Sequence, residues 1–197
     1  MAPAKVCAAK QRALFEATLN LLKEGYAPHQ LKISQIAQKA GIGKGTVYEY
    51  FESKQALFSG VVEYCRQREL SQLEEILQNS PTFFGAVRSV AVYMRDCAQN
   101  PLSSFRLLAA QKFAGEEWGK IPTQAGCCTQ SDRIRALVAK LLEKGRKEGA
   151  IGPSMADNTA CLALLGAFAA FSLPGQRLQQ EEQILDQMQL LLKKALA

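Results

Sequence analysis

Residues 33–58, ISQIAQKAGIGKGTVYEYFESKQALF, leave this chain little choice of fold. They read as two short helices crossing at a tight turn, followed by the start of a third. Ile36 and Ala40 lie four apart and share one face of the first helix. Ala37 is small enough to let the second helix approach closely, and Ile42 and Val47 complete the apolar set. Gly41 falls where the first helix must stop, and glycine takes the left-handed conformation of a helix end without steric cost. Gly43 can cap the second helix, although it brings no side-chain acceptor. That helix then carries Lys44, Thr46, Tyr48, Glu49 and Tyr50 on faces the core does not require. Donors and aromatics there suit the edge of a DNA major groove.

The run Lys44-Gly45-Thr46-Val47-Tyr48-Glu49-Tyr50-Phe51, with Ser53-Lys54 and Ala56-Leu57 behind it, resembles the recognition helix and fourth-helix start of the TetR family of transcriptional regulators. Leu14 to Tyr26 resembles that family's first helix, so the likeness covers roughly residues 10–60. It departs at Gly43, where the family often has Ser or Thr; a side-chain cap and a phosphate contact are lost at that position. The resemblance implies an all-α fold, with a three-helix DNA-binding domain over residues 1–54 and a helical effector-binding and dimerisation domain over 55–197. It implies DNA contacts from Thr46 and Tyr48, and a phosphate grip from Lys54. The residues themselves add Lys44, which can reach a phosphate or a guanine edge, and Tyr50. Ser34 and Gln35, at the start of the first of the two short helices, can reach the backbone or groove edge. Glu49 repels phosphate and either reads a cytosine amino group or faces water.

Charge agrees with a phosphate-binding end. The chain carries a formal +6, and residues 1–54 hold eight Lys/Arg against four Asp/Glu. Over half of the excess therefore sits in the first quarter or so of the chain. Apolar residues make up 48% and charged residues 21%, as in an ordinary globular protein able to bury a sizeable core. No apolar signal segment opens the sequence, and the longest apolar run, Ala160 to Phe171, is too short to span a bilayer. The expected location is cytoplasmic, with no membrane partner.

Helical patterning continues through the rest of the chain. A long helix is expected from near Lys54, capped by Ser53, to about Leu77. Ser80-Pro81 and Asn100-Pro101 each place a capping residue before a proline suited to a first helical position. Residues 115–130 read as a loop or broken helix, followed by a helix from Ser131 to Glu148 that ends at Gly149. Ser154 and Asp157 are spaced like a capping box opening a helix to about Ser172, and a last helix covers about Gln180 to Leu196.

Six cysteines, Cys7, Cys65, Cys97, Cys127, Cys128 and Cys161, lack metal-ligand spacing, and His29 is the only histidine. No metal, cofactor or catalytic set is expected. Cys65, Cys97 and Cys161 read as small core residues, and Cys127-Cys128 as loop thiols.

The resemblance implies a homodimer built on the last two helices. Ala160, Ala163, Leu164, Ala167, Phe168 and Phe171, with Leu185, Met188 and Leu192, are the expected interface. Two-fold symmetry would also double the few base pairs one helix can read, giving a palindromic operator. A pocket for a small, apolar or weakly polar effector is expected among the helices between residues 54 and 172, lined by Tyr93, Met94, Cys97, Phe105, Leu108, Phe113 and Trp118. Arg95, Asp96, Arg106 or Lys112 could orient a charged one.

Overall fold

The computed structural model describes residues 4–104, 106–108, 127–172 and 181–196. Among them there is no strand. The helices are α1 (Ala4–Lys23), α2 (Ile33–Ala40), α3 (Lys44–Tyr50), α4 (Lys54–Asn79), α5 (Phe83–Gln99), α6 (Cys127–Lys147), α7 (Asp157–Phe171) and α8 (Glu181–Leu196). Among the described residues no helix is long and apolar enough to cross a membrane. Packing divides the chain into two units. One comprises residues 1–68 and 101–122, and the other residues 69–100 and 123–197. This division falls inside α4, further along the chain than the functional boundary drawn at residue 54.

The core of the first unit gathers Leu14, Leu31, Ile36, Val47 and Leu57, all essentially without exposure. Ala40 and Ile42 pack at its edge. Between α2 and α3, Gly41 adopts φ 67°. Its N–H donates to the Gln38 carbonyl and that of Ile42 to the Ala37 carbonyl, so the end of α2 closes on itself. Gly43 is the N-cap of α3 and, as expected, caps it without a side chain. Ser53 caps α4, its hydroxyl accepting from the Ala56 N–H at 3.0 Å. A second cluster joins α1 to α4 through Leu19, Val61, Val62 and Cys65. On its rim, Tyr64 donates to the Glu16 carboxylate, which Arg68 also approaches at 3.4 Å.

The second unit is built around Phe83, Ala86, Val87, Leu164, Phe168, Leu185 and Leu192. Helix starts along the chain correct three expectations. α5 begins two residues after Pro81, because the Thr82 hydroxyl accepts from the Gly85 N–H at 3.1 Å and makes Thr82 the cap. Likewise Ser103, not Asn100, caps the helical residues that follow it, accepting from the Arg106 N–H at 3.2 Å. A hydroxyl nearer the helix outcompetes the residue before the proline. Ser154 caps nothing: the N-cap of α7 is Ala156. Asp157 instead faces Arg146, 2.5 Å away, whose guanidinium also donates to the Gly152 and Met155 carbonyls. Cys127 and Cys128 lie in the first turn of α6 and not in a loop.

The end of α6 fixes the start of α5. The Glu148 carboxylate accepts from the Phe83 N–H at 2.7 Å, where the N-terminal dipole favours an anion. Lys144 donates to the Ser80 carbonyl. Gly145 lets the helix sit this close: a Cβ there would stand 2.7 Å from Ile151 Cδ1 and 2.9 Å from the Phe83 ring. Both neighbours are buried and cannot retreat. Gly145→Ala is therefore expected to destabilise the protein by about 1–3 kcal/mol in a urea melt, despite alanine's better helix propensity.

Candidate DNA-binding surface

α3 is short, and its single fully buried side chain is Val47. At 3.6 residues per turn, Lys44, Gly45, Tyr48 and Glu49 fall within an arc of about 140° on the opposite side. All four are exposed, and Tyr48 keeps 51% of its surface. A large aromatic this open, beside a lysine and on a rigidly seated helix, is chemistry for an external partner. Thr46 is half-buried at the edge of this arc. Tyr50 instead packs against the core of the first unit, so the structure gives it a core role that its position at the apolar end of the motif foreshadowed.

On α2, Ser34 is exposed in the first turn. Gln35 is half-buried, and its side-chain oxygen accepts from the Lys32 N–H at 2.8 Å. That bond caps the helix and leaves the Gln35 amide NH₂ as the group that can reach outward. Sequence reasoning passed over Lys32 itself, which is exposed at the N-cap of α2. The signal was there, a lysine directly before the first apolar residue of the helix. Lys39 is less available, since it pairs with Glu24 at 2.6 Å.

Lys54 stands at the start of α4, half-buried, and donates to the His29 carbonyl at 2.9 Å. Burial pulls its pKa below the ordinary lysine value. Its ammonium also lies 5.9 Å from the Phe58 ring centroid. Lys54 thus ties the loop before α2 to α4, a role invisible in local sequence because His29 lies 25 residues away. Lys54→Met is expected to cost about 1 kcal/mol in thermal or urea unfolding. A loss of DNA binding in that variant would report the loosened loop together with any lost phosphate contact.

The residues expected to line an effector pocket are placed as follows. Tyr93 lines an open groove of 480 Å³ with Gln72, Glu75, Ile76 and Ser89, and its hydroxyl donates to Gln72 Oε1 at 2.7 Å. Met94 packs against the core of the second unit. Cys97 is half-buried, and burial pushes its thiol up, with a smaller opposing pull from the Tyr93 hydroxyl. A raised thiol pKa is the reverse of what a reactive sensor needs. Leu108 packs within the first unit. Phe105, Phe113 and Trp118, with Lys112, lie outside the described residues. Arg95 is already engaged, by Asp96 at 2.7 Å and Glu181 at 2.5 Å, so neither it nor Asp96 is a ready group for a charged ligand.

The expected dimer residues need the largest correction. Ala160, Leu164, Phe168, Phe171, Leu185, Met188 and Leu192 are all buried within the second unit itself. Side chains already removed from water have little area left to bury against a partner. Ala163 and Ala167 are half-buried and line an apolar groove of 390 Å³ between α7 and α8, with Gly166, Ala170, Ile184 and Leu191. Large apolar side chains are also exposed on the two helices: Leu162 at 71%, Leu165 at 55%, Leu190 at 55% and, in the groove itself, Leu191 at 68%. α7 is therefore apolar on two opposite sides, one facing its own core and one facing outward. Apart from Ala163 and Ala167, the residues expected at an interface thus belong to the inward face of these helices.

Comparison with known proteins agrees with this geometry. Residues 14–61, from α1 into α4, match the family model described as bacterial regulatory proteins, tetR family. The nucleoid occlusion factor SlmA of Marinomonas sp. is 22% identical over 87 residues, 44% of this chain and 44% of that protein. The chain spans about half the length of the curated relatives it matches. A TetR family transcription regulator from Marinobacter aquaeolei superposes with a TM-score of 0.56 at 18% identity, covering 98% of each chain. The transcriptional regulator FadR of Bacillus subtilis, solved with stearoyl-CoA, gives a TM-score of 0.56 at 15% identity over 94% of this chain and 97% of its own. The tetR-family match over residues 14–61 thus lies on a chain whose all-helical fold is that of solved TetR-family regulators.

Proposed function

We propose that this chain is a homodimeric repressor that leaves a palindromic operator when a small molecule binds. The observation that carries the reading is the exposed face of α3, where Lys44 and Tyr48 stand clear of a core they do not serve. Residues 1–54 act as the reader, with Ser34, Gln35 and Thr46 at its edge, and residues 55–197 receive the effector and hold the dimer. The outward apolar face of α7 and α8 is the dimer surface, because a helix that is apolar all round is buried on all sides in its working form. A second copy of the chain supplies the two-fold symmetry a palindrome requires. Such a DNA reader works in the cytoplasm.

An apolar or weakly polar effector is supported by FadR of Bacillus subtilis, whose structure holds stearoyl-CoA. Release requires the effector to prefer the form of the protein that does not fit the operator. A second reading is a DNA-binding protein answering to a protein partner; its support is that curated relatives are named nucleoid occlusion factors. Transcripts of the adjacent genes in a strain lacking this gene, complemented with the wild type or with Tyr48→Ala, decide between them. Repression predicts transcripts that rise on deletion and fall again only with the wild type. Transcripts that fall on deletion would mark an activator, and unchanged ones would favour the partner reading.

A further inference from the structure

Glycine is a poor helix former, so a glycine inside a helix calls for a contact that needs its bare Cα. The helical glycines described here fall into two groups. A Cβ on Gly60 would stand 2.8 Å from the Phe15 ring, and one on Gly145 2.7 Å from Ile151. One on Gly85 would stand 2.9 Å from the Thr82 hydroxyl that caps α5. Each of these has its reason inside the subunit. Gly45 in α3 and Gly166 in α7 do not: nothing lies within 4 Å of where their Cβ would be, and neither has positive φ. They lie on the two faces that the proposed function turns toward another molecule.

Gly45 is the sharper case. It sits in the first turn of α3, exposed, beside Lys44 and three residues before Tyr48. Helical side chains lean toward the N-terminus, so Tyr48 overhangs the turn that holds Gly45. Yet the place of the missing Cβ is empty, Tyr48 included. A bare backbone surface is thus left open under an exposed aromatic.

We propose that Gly45 is a positioning residue for operator binding: its bare Cα lets the backbone of α3 settle at van der Waals distance from base edges in the major groove, which brings Tyr48 onto the base it reads. This rests on the reading that α3 faces the duplex. Glycine at a close backbone approach serves the contact and not the fold, so folding and binding should respond to its replacement with opposite signs.

Gly45→Ala, Tyr48→Ala and the wild type are compared on a duplex that the wild type has selected from a random pool, and in thermal melts. Gly45→Ala is expected to melt at the same temperature or a few degrees higher, because its Cβ meets nothing and alanine favours the helix. Its operator affinity is expected to fall at least about tenfold, as one methyl holds the helix off the groove. Equal affinity in Gly45→Ala, with Tyr48→Ala impaired, overturns the proposal and leaves the DNA-binding reading standing. A lowered melting temperature in Gly45→Ala also overturns it, by giving the glycine a structural role. A wild type that selects no sequence removes both the proposal and the reading beneath it.

Discussion

Leu162→Asp combined with Leu191→Asp is expected to convert the proposed dimer to a folded monomer of 21.6 kDa. The two leucines are 71% and 68% exposed in the single subunit, so their replacement removes little contact within it. In the proposed dimer each would stand against a partner, and symmetry would place every substitution there twice. Carboxylates put into an apolar contact with no cation opposite weaken it by about 4 kcal/mol or more, roughly a thousandfold. Sedimentation measures the mass, and circular dichroism the retained helix content. The matching change on the inner stripe, Leu164→Asp, is expected to unfold the second unit, since Leu164 is 3% exposed within its core. A Leu162→Asp/Leu191→Asp protein that stays dimeric would move the interface elsewhere.

Tyr48→Ala carries the second large effect. Half of this side chain is exposed in the subunit, and its removal is expected to change folding stability by no more than about 0.5 kcal/mol. Binding should suffer far more. One good base contact discriminates by about 1–3 kcal/mol, and a dimer loses it in both half-sites. Operator affinity measured by fluorescence anisotropy should fall by at least about thirtyfold. Tyr48→Phe divides the effect, keeping whatever the ring contributes and losing the hydroxyl. Unchanged affinity in Tyr48→Ala would take α3 out of the recognition surface.

The reader was legible in the sequence because its determinants are local. Gly41 ends α2, Ser53 starts α4, and Ile36, Ala37 and Val47 mark the core, all through neighbours within a turn or two. Local competition explains the misplaced helix starts, where Thr82 and Ser103 lie nearer the helix than the residues before Pro81 and Pro101. The outward apolar face of α7 was not legible. Apolar residues surround α7, so its sequence has no polar side to say which stripe turns inward. Only packing against Phe83, Val87 and Leu185 settles that Leu164 and Phe168 belong to the subunit and Leu162 and Leu165 to the outside. Lys54 failed in another way. Its charge and its place at the head of α4 were plain, but its partner is a backbone carbonyl in a loop, which no side-chain pattern announces. Gly45 was visible as a letter of the motif, and only the empty space around it in the fold separates it from glycines with internal duties.

Selection of binding sites from a random duplex pool by the purified wild-type protein, followed by a salt titration on the enriched sequence, tests the central claim most directly. A dimer presenting α3 from each subunit predicts two inverted half-sites about one helical turn apart. It also predicts an affinity that falls steeply as salt rises, by the release of about 0.9 counterion per phosphate gripped. A pool that yields no common sequence, or binding that is weak and equal on every duplex at low salt, would contradict the account.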